Sequence, residues 1–165
     1  MEILLVSPLK PSTIVVGKVV PYLLLSFINA LVVLGIGMTV FGMPVQGSMP
    51  LLIFEFILFI LVTLSLGILI STRTDSQQVA MMISLMAMML PAILLSGFIF
   101  PIDSMPLPLQ ILSNIMPPKW FIIVLKGIML QGVGLEVLWK ETLILMAYVV
   151  VFTAISIKNF KVRLQ

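Results

Sequence analysis

The chain of 165 residues contains no cysteine and no histidine. Disulfides, thiol nucleophiles, histidine proton relays and the usual zinc sites are excluded together. Charge is also scarce: 9% of residues are Asp, Glu, Lys or Arg, with nine basic against six acidic groups. The basic residues are scattered near the ends of apolar runs instead of forming a stripe with aromatic partners, so the balance of +3 does not point to nucleic acid. Gly17-Lys18 belongs to no phosphate-binding loop, which would need glycine at position 12 and Ser or Thr at position 19, where the chain has Ser12 and Val19. No nucleotide-binding motif, metal site or cofactor is expected, and the chain reads as a non-enzyme.

What is present is apolar surface. Hydrophobic residues make up 61% of the chain, and the mean hydropathy is +1.30. Four stretches, residues 19–41, 51–71, 79–100 and 137–157, are long and apolar. A helix needs roughly 20 such residues to cross a hydrocarbon core about 30 Å thick. The runs are continuous instead of alternating, which favours helices over a barrel. The expected fold class is all-α and integral to a membrane, with four transmembrane helices in a single transmembrane domain over residues 1–165. Placing the N-terminus in the cytoplasm puts Lys10, Lys18, Arg73, Lys158, Lys161 and Arg163 inside and Lys119, Lys126 and Lys140 outside. That distribution follows the positive-inside rule. A cleavable signal peptide is not expected, since Met1-Glu2 opens with an acid and Ser7-Pro8 interrupts the first apolar run.

The connecting segments add detail. Residues 1–9 are too short to span and end in Ser7-Pro8, with Lys10-Pro11 extending the break, so a short interfacial helix and an elbow are predicted. Ser12 or Thr13 can cap the next helix. Pro21 should bend it, leaving residues 13–20 as a surface lead-in and 22–41 as the span. Gly42, Pro44, Gly47 and Pro50 mark a short outer turn. In the second span Thr63, Gly67 and Ser71 recur every four residues, a small-residue face suited to helix packing. Asp75 or Ser76 can cap the third span, which carries Met81, Met82, Met86, Met88, Met89 and Pro91. Those methionines read either as gap filling or as a surface that accommodates varied apolar ligands. Residues 100–137 hold five prolines and two apolar segments, 107–115 and 120–130, each too short to cross. With Trp120 and Trp139 bracketing them, they predict a re-entrant helical hairpin in the outer leaflet.

Two polar residues inside spans are candidates for a translocation path. Glu55 lies about one turn from the outer end of the second span, and intramembrane acids are functional candidates by default. Its shallow position also lets it reach the headgroups, so a structural reading stands beside the functional one. Asn29 lies deeper, in the first span, where an interhelical hydrogen bond competes with ligand contact.

Five landmarks in order carry a resemblance. They are Glu2-Ile3-Leu4-Leu5-Val6-Ser7-Pro8-Leu9 with Gly17-Lys18 and Pro21-Tyr22; Phe41-Gly42-Met43-Pro44 with Gly47-Ser48; residues 66–72 with Gln77-Gln78; residues 96–102 with Met105-Pro106; and residues 126–130 ahead of Leu138-Trp139. Together they resemble the ABC-2 type transporter permeases, the membrane subunits of ABC exporters, across essentially the whole chain. The resemblance implies that residues 1–11 are a cytoplasmic coupling region, 12–157 four spans with a re-entrant segment at 107–132, and 158–165 a basic cytoplasmic tail. It implies that Glu2, Leu4, Leu5, Ser7, Pro8 and Leu9 contact a separate ABC ATP-binding subunit. A second permease subunit, identical or different, would complete the export path within the lipid of a bacterial or archaeal inner membrane. Members of the family have six spans, so the chain corresponds to a C-terminal portion without the first two: a truncated gene, a mis-called start or a deliberate fragment. A small proton-coupled exporter built around Glu55, and a non-transporting fragment with an assembly role, are the alternatives.

Overall fold

The computed structural model describes residues 11–162 apart from 75, 98 and 100. All regular structure among the described residues is helical: α1 (Pro11–Thr39), α2 (Met49–Arg73), α3 (Gln77–Ser84), a π-helical turn (Leu85–Met89), α4 (Leu90–Leu95), a 3₁₀ turn (Ile102–Ser104), α5 (Leu107–Ile115), α6 (Pro117–Gln131) and α7 (Leu135–Val162). Three helices are long and apolar enough to cross a membrane, namely Val19–Thr39 within α1, Met49–Arg73 and Leu135–Lys158 within α7. The bent pair of α5 and α6 brings the number to four if it counts as one span. The protein is therefore a multi-pass, all-helical membrane protein.

Local chemistry accounts for the boundaries. Pro50 sits in the first turn of α2, where a missing amide costs nothing, and Arg73 in the last turn favours the exposed carbonyls. Ser76 caps α3 by accepting from the Val79 amide at 3.2 Å, one of the two expected caps. α6 opens on Pro117-Pro118 and stops at Gly132, whose φ of 65° is the left-handed geometry that glycine adopts freely.

α1 runs through Pro21 as one continuous helix, with Val19–Thr39 as its span. One lost hydrogen bond does not end a helix whose flanks are strongly apolar. The stretch at 79–100, by contrast, is not one unbroken helix. Pro91 lacks an amide and its ring crowds the carbonyl four residues back, inside the π-helical turn Leu85–Met89. The widened turn absorbs that conflict and divides the stretch into α3 and α4.

α2 is the hub of the packing, touching α1, α3, α6 and α7, with α7 its most extensive neighbour. α2 and α7 run parallel and in register. Thr142 Oγ1 lies 2.5 Å from Glu55 Oε1, and Ser65 Oγ lies 3.1 Å from Thr153 Oγ1. Between and around these polar ties sit two apolar clusters, Leu34, Leu52, Val124, Ile128, Met129 and Leu138, and Leu58, Val62 and Leu145. Phe59 stacks on Phe121 of α6 with ring centroids 4.1 Å apart, and Phe56 meets the same ring edge-on at 5.3 Å. The expected small-residue face at Thr63, Gly67 and Ser71 is exposed. A methyl group added at Gly67 would meet nothing within 4 Å.

The loop after α1 is strapped to α6. The last four carbonyls of any α-helix lack partners within it. In α6 two of them are taken by loop amides: Gln46 N–H donates to Met129 O at 3.1 Å and Gly47 N–H to Ile128 O at 3.0 Å.

Candidate functional site

The residues expected to meet an ATPase, Glu2, Leu4, Leu5, Ser7, Pro8 and Leu9, lie outside the described residues. The two path candidates fall in different surroundings and are not brought together. Asn29 stands midway along α1 and is exposed. Its amide makes no hydrogen bond among the described residues. Only 6% of the α1 span is buried, against 28% for α2, so this helix turns most of its surface outward.

Glu55 is 1% exposed. Its carboxyl faces α7, where Thr142 donates to Oε1, while Oε2 has no partner among the described residues. Thr142 Oγ1 also lies 3.0 Å from the Leu138 carbonyl one turn back. The side chain is thus enclosed by α2 and α7 instead of reaching toward headgroups. Chemically this is a buried hydrogen-bonded tie with spare acceptor capacity.

The segment between α4 and α7 carries a cluster of polar ties. α5 and α6 meet at 83°, a bend that fits either a broken span or a re-entrant segment. The bend frees the last carbonyls of α5, and side chains from other elements take them. Tyr148 Oη donates toward Ile115 O at 2.9 Å and Asn114 O at 3.2 Å. Trp120 Nε1 donates to Asn114 O at 3.0 Å. Lys119 is 9% exposed; its ammonium donates to Asn114 Oδ1 and lies 5.3 Å from the Trp120 ring centre. The α5–α6 pair is also tied to α4 and the residues just after it, through Ser113 Oγ to Leu95 O at 2.7 Å and Lys126 Nζ to Gly97 O at 3.2 Å.

Depth follows from helix geometry. Tyr148 is thirteen residues into α7, which at 1.5 Å per residue is about 20 Å from its start. The bend between α5 and α6 is therefore level with the middle of the Leu135–Lys158 span, and Lys119 sits beside it. We expect Tyr148→Phe to cost about 0.5–1.5 kcal/mol, the net worth of an ordinary hydrogen bond, since the Ile115 carbonyl loses its donor while Asn114 O keeps Trp120. Thermal unfolding in detergent, with proteolysis at residues 107–116, checks this; unchanged stability and cleavage would remove Tyr148 as the hairpin's tie.

Beside the hairpin lies an apolar groove of 460 Å³, lined by Met86, Pro91, Leu94, Met105 and Leu109 among others. Met81, Met82, Met86 and Met89 are all exposed along α3 and the π-helical turn. This is an adaptable apolar surface of the kind that takes varied ligands. Among the described residues no cluster of His, Cys, Asp or Glu is suited to a metal ion.

Sequence reasoning missed Thr142, Tyr148, Asn114 and Lys119 as partners. A signal was available in α7, where Thr142 and Thr153 are three helical turns apart and so share one face. Which helix that face meets is a tertiary matter.

Residues 1–158 match the family described as ABC-2 family transporter protein. Over all 165 residues the chain is 37% identical to the probable multidrug ABC transporter permease YbhS of Escherichia coli (strain K12), covering 44% of that protein. It is 38% identical over 141 residues to the probable multidrug ABC transporter permease YbhR of the same organism, covering 86% of this chain and 38% of that protein. The inner membrane transport permease YhhJ of the same strain is 32% identical over 167 residues, covering 98% of this chain and 43% of that one. The chain thus spans less than half the length of these relatives. No solved structure matches it. With a family match over nearly its whole length and a multi-pass helical fold, the chain belongs to the ABC-2 family of transporter proteins.

Proposed function

We propose that the chain is the membrane-spanning permease part of an ATP-driven ABC-2 exporter, coupling hydrolysis by a separate ATP-binding subunit to efflux of substrate. The observation that carries this reading is the family match over residues 1–158, which includes the segment at residues 2–9. A short amphipathic segment tethered by Ser7-Pro8 and Lys10-Pro11 is mechanically suited to pass a push into α1, because prolines restrict the backbone at the joint. Glu2, Leu4, Leu5, Ser7, Pro8 and Leu9 are the docking residues in this reading, with both termini in the cytoplasm. A second permease subunit completes the path, and its helices cover the outward face of α1 around Asn29.

The substrate class is apolar or amphipathic. The methionines along α3 and the groove at Met86 support it, as do the names of the two probable multidrug permeases. Replacing Leu4 and Leu5 with aspartate in the full-length permease is expected to abolish co-purification of the ATP-binding subunit. Two carboxylates in a docking surface add a desolvation cost that an apolar contact does not carry. Undiminished co-purification would sink the assignment of this segment.

A further inference from the structure

An open groove of 340 Å³ lies between the end of α2, α3 and the last turns of α7. Leu69, Ile70, Ile83 and Ile155 form its floor, and Arg73 and Thr74 stand at its polar end. The membrane-spanning part of α2 ends at Arg73 and that of α7 ends at Lys158. These ends lie at one level, because the ties Glu55 to Thr142 and Ser65 to Thr153 set the two parallel helices in register with offsets of 87 and 88 residues. By that register Lys158 is level with Ser71, within one turn of Arg73. Both cations are exposed, and Lys158 follows Ile155 by three residues, on the same side of α7.

We propose that this groove binds an anionic phospholipid, with one acyl chain along Leu69, Ile70, Ile83 and Ile155 and the headgroup phosphate at Arg73. The floor lies within the length of the spans, so a hydrocarbon chain fills it without exposing either surface to water. At the span ends a guanidinium offers paired donors matched to phosphate oxygens, and an ammonium within one turn adds a second positive charge. A soluble phosphate compound would leave the floor unfilled. Two cations at one surface favour a lipid with net negative charge over a zwitterionic one.

The experiment measures lipid retention by native mass spectrometry on the full chain purified in mild detergent. Phosphatidylglycerol and phosphatidylcholine of identical acyl chains are added in turn. Retention of phosphatidylglycerol is expected to exceed that of phosphatidylcholine by about tenfold. Arg73→Gln should bring the two lipids level, and Ile83→Trp, which fills the floor, should lower both. Circular dichroism on each variant confirms unchanged helicity. Equal retention of the two lipids by the unaltered chain would overturn the proposal. So would a loss confined to Arg73→Gln, since a headgroup contact without the groove would then suffice. Neither result depends on transport or on an ATPase.

Discussion

Gly47→Ala is expected to destabilise the folded protein by about 2–4 kcal/mol, combining a steric clash with the loss of a hydrogen bond at a helix end. A methyl group at this position would lie 2.6 Å from the Ile128 carbonyl oxygen and 3.0 Å from Ile128 Cγ2. The oxygen belongs to the backbone of α6 and cannot swing aside as a side-chain end can. The loop must therefore lift, and lifting breaks the Gly47 N–H bond to Ile128 O and strains the neighbouring Gln46 N–H bond to Met129 O. Those carbonyls then have no helical partner. Gly127→Ala is the control, because its methyl would meet only side-chain ends of Leu138 and Val133, at 3.1 Å. Its cost should stay near 1 kcal/mol or less, the range for overpacking that neighbours can absorb. Thermal unfolding in detergent compares the two; a Gly47→Ala protein as stable as the Gly127→Ala one would show that the strap contributes little.

Thr142→Val should cost about 2 kcal/mol, because it removes the hydroxyl without changing the shape and leaves the Glu55 carboxyl enclosed with no donor. Hydrogen bonds between membrane helices average only about 0.6 kcal/mol, since lipid-exposed helices find other partners when separated. Glu55 exceeds that average because the group left behind is a carboxyl whose second oxygen already lacks a donor. Glu55→Gln keeps an acceptor oxygen for Thr142 and should stay within about 1 kcal/mol of the parent. The double replacement Glu55→Leu with Thr142→Val removes both halves of the tie and should be more stable than Thr142→Val alone. A double-mutant cycle by unfolding measures the coupling; additive losses would mean that the two side chains do not hold α2 to α7. Transport by the Glu55→Gln protein answers a separate question, since a stable protein that fails to transport would give the carboxyl a functional role.

Much of the architecture was legible before any coordinates. Three of the four long apolar runs fall on single helices and the run at 79–100 is helical as far as Leu95, the two segments between the prolines at 106 and 117 and the glycine at 132 form α5 and α6, and Ser76 caps α3. These are properties of short windows: hydropathy, proline, and a hydroxyl ahead of a free amide. The reading faltered where a neighbour decides the outcome. Pro21 and Pro91 present the same local signal, yet α1 passes through one while the helix preceding the other takes a π-helical turn. The face at Thr63, Gly67 and Ser71 looked like the packing face of α2, but α7 packs against the side carrying Glu55 and Ser65.

The sequence by itself determined the solvent and the class. Apolar runs of span length require a bilayer, and backbone polarity in a bilayer requires helices. Tertiary structure alone decided which groups meet: Glu55 with Thr142, Tyr148 with the carbonyls freed at the α5 bend, and Arg73 with the apolar floor of a groove. The reason is physical. Lipid provides no water to satisfy a stray donor or acceptor, so a partner on another helix stabilises such a group. Those partners lie tens of residues away, at distances set by helix register and invisible to any local pattern.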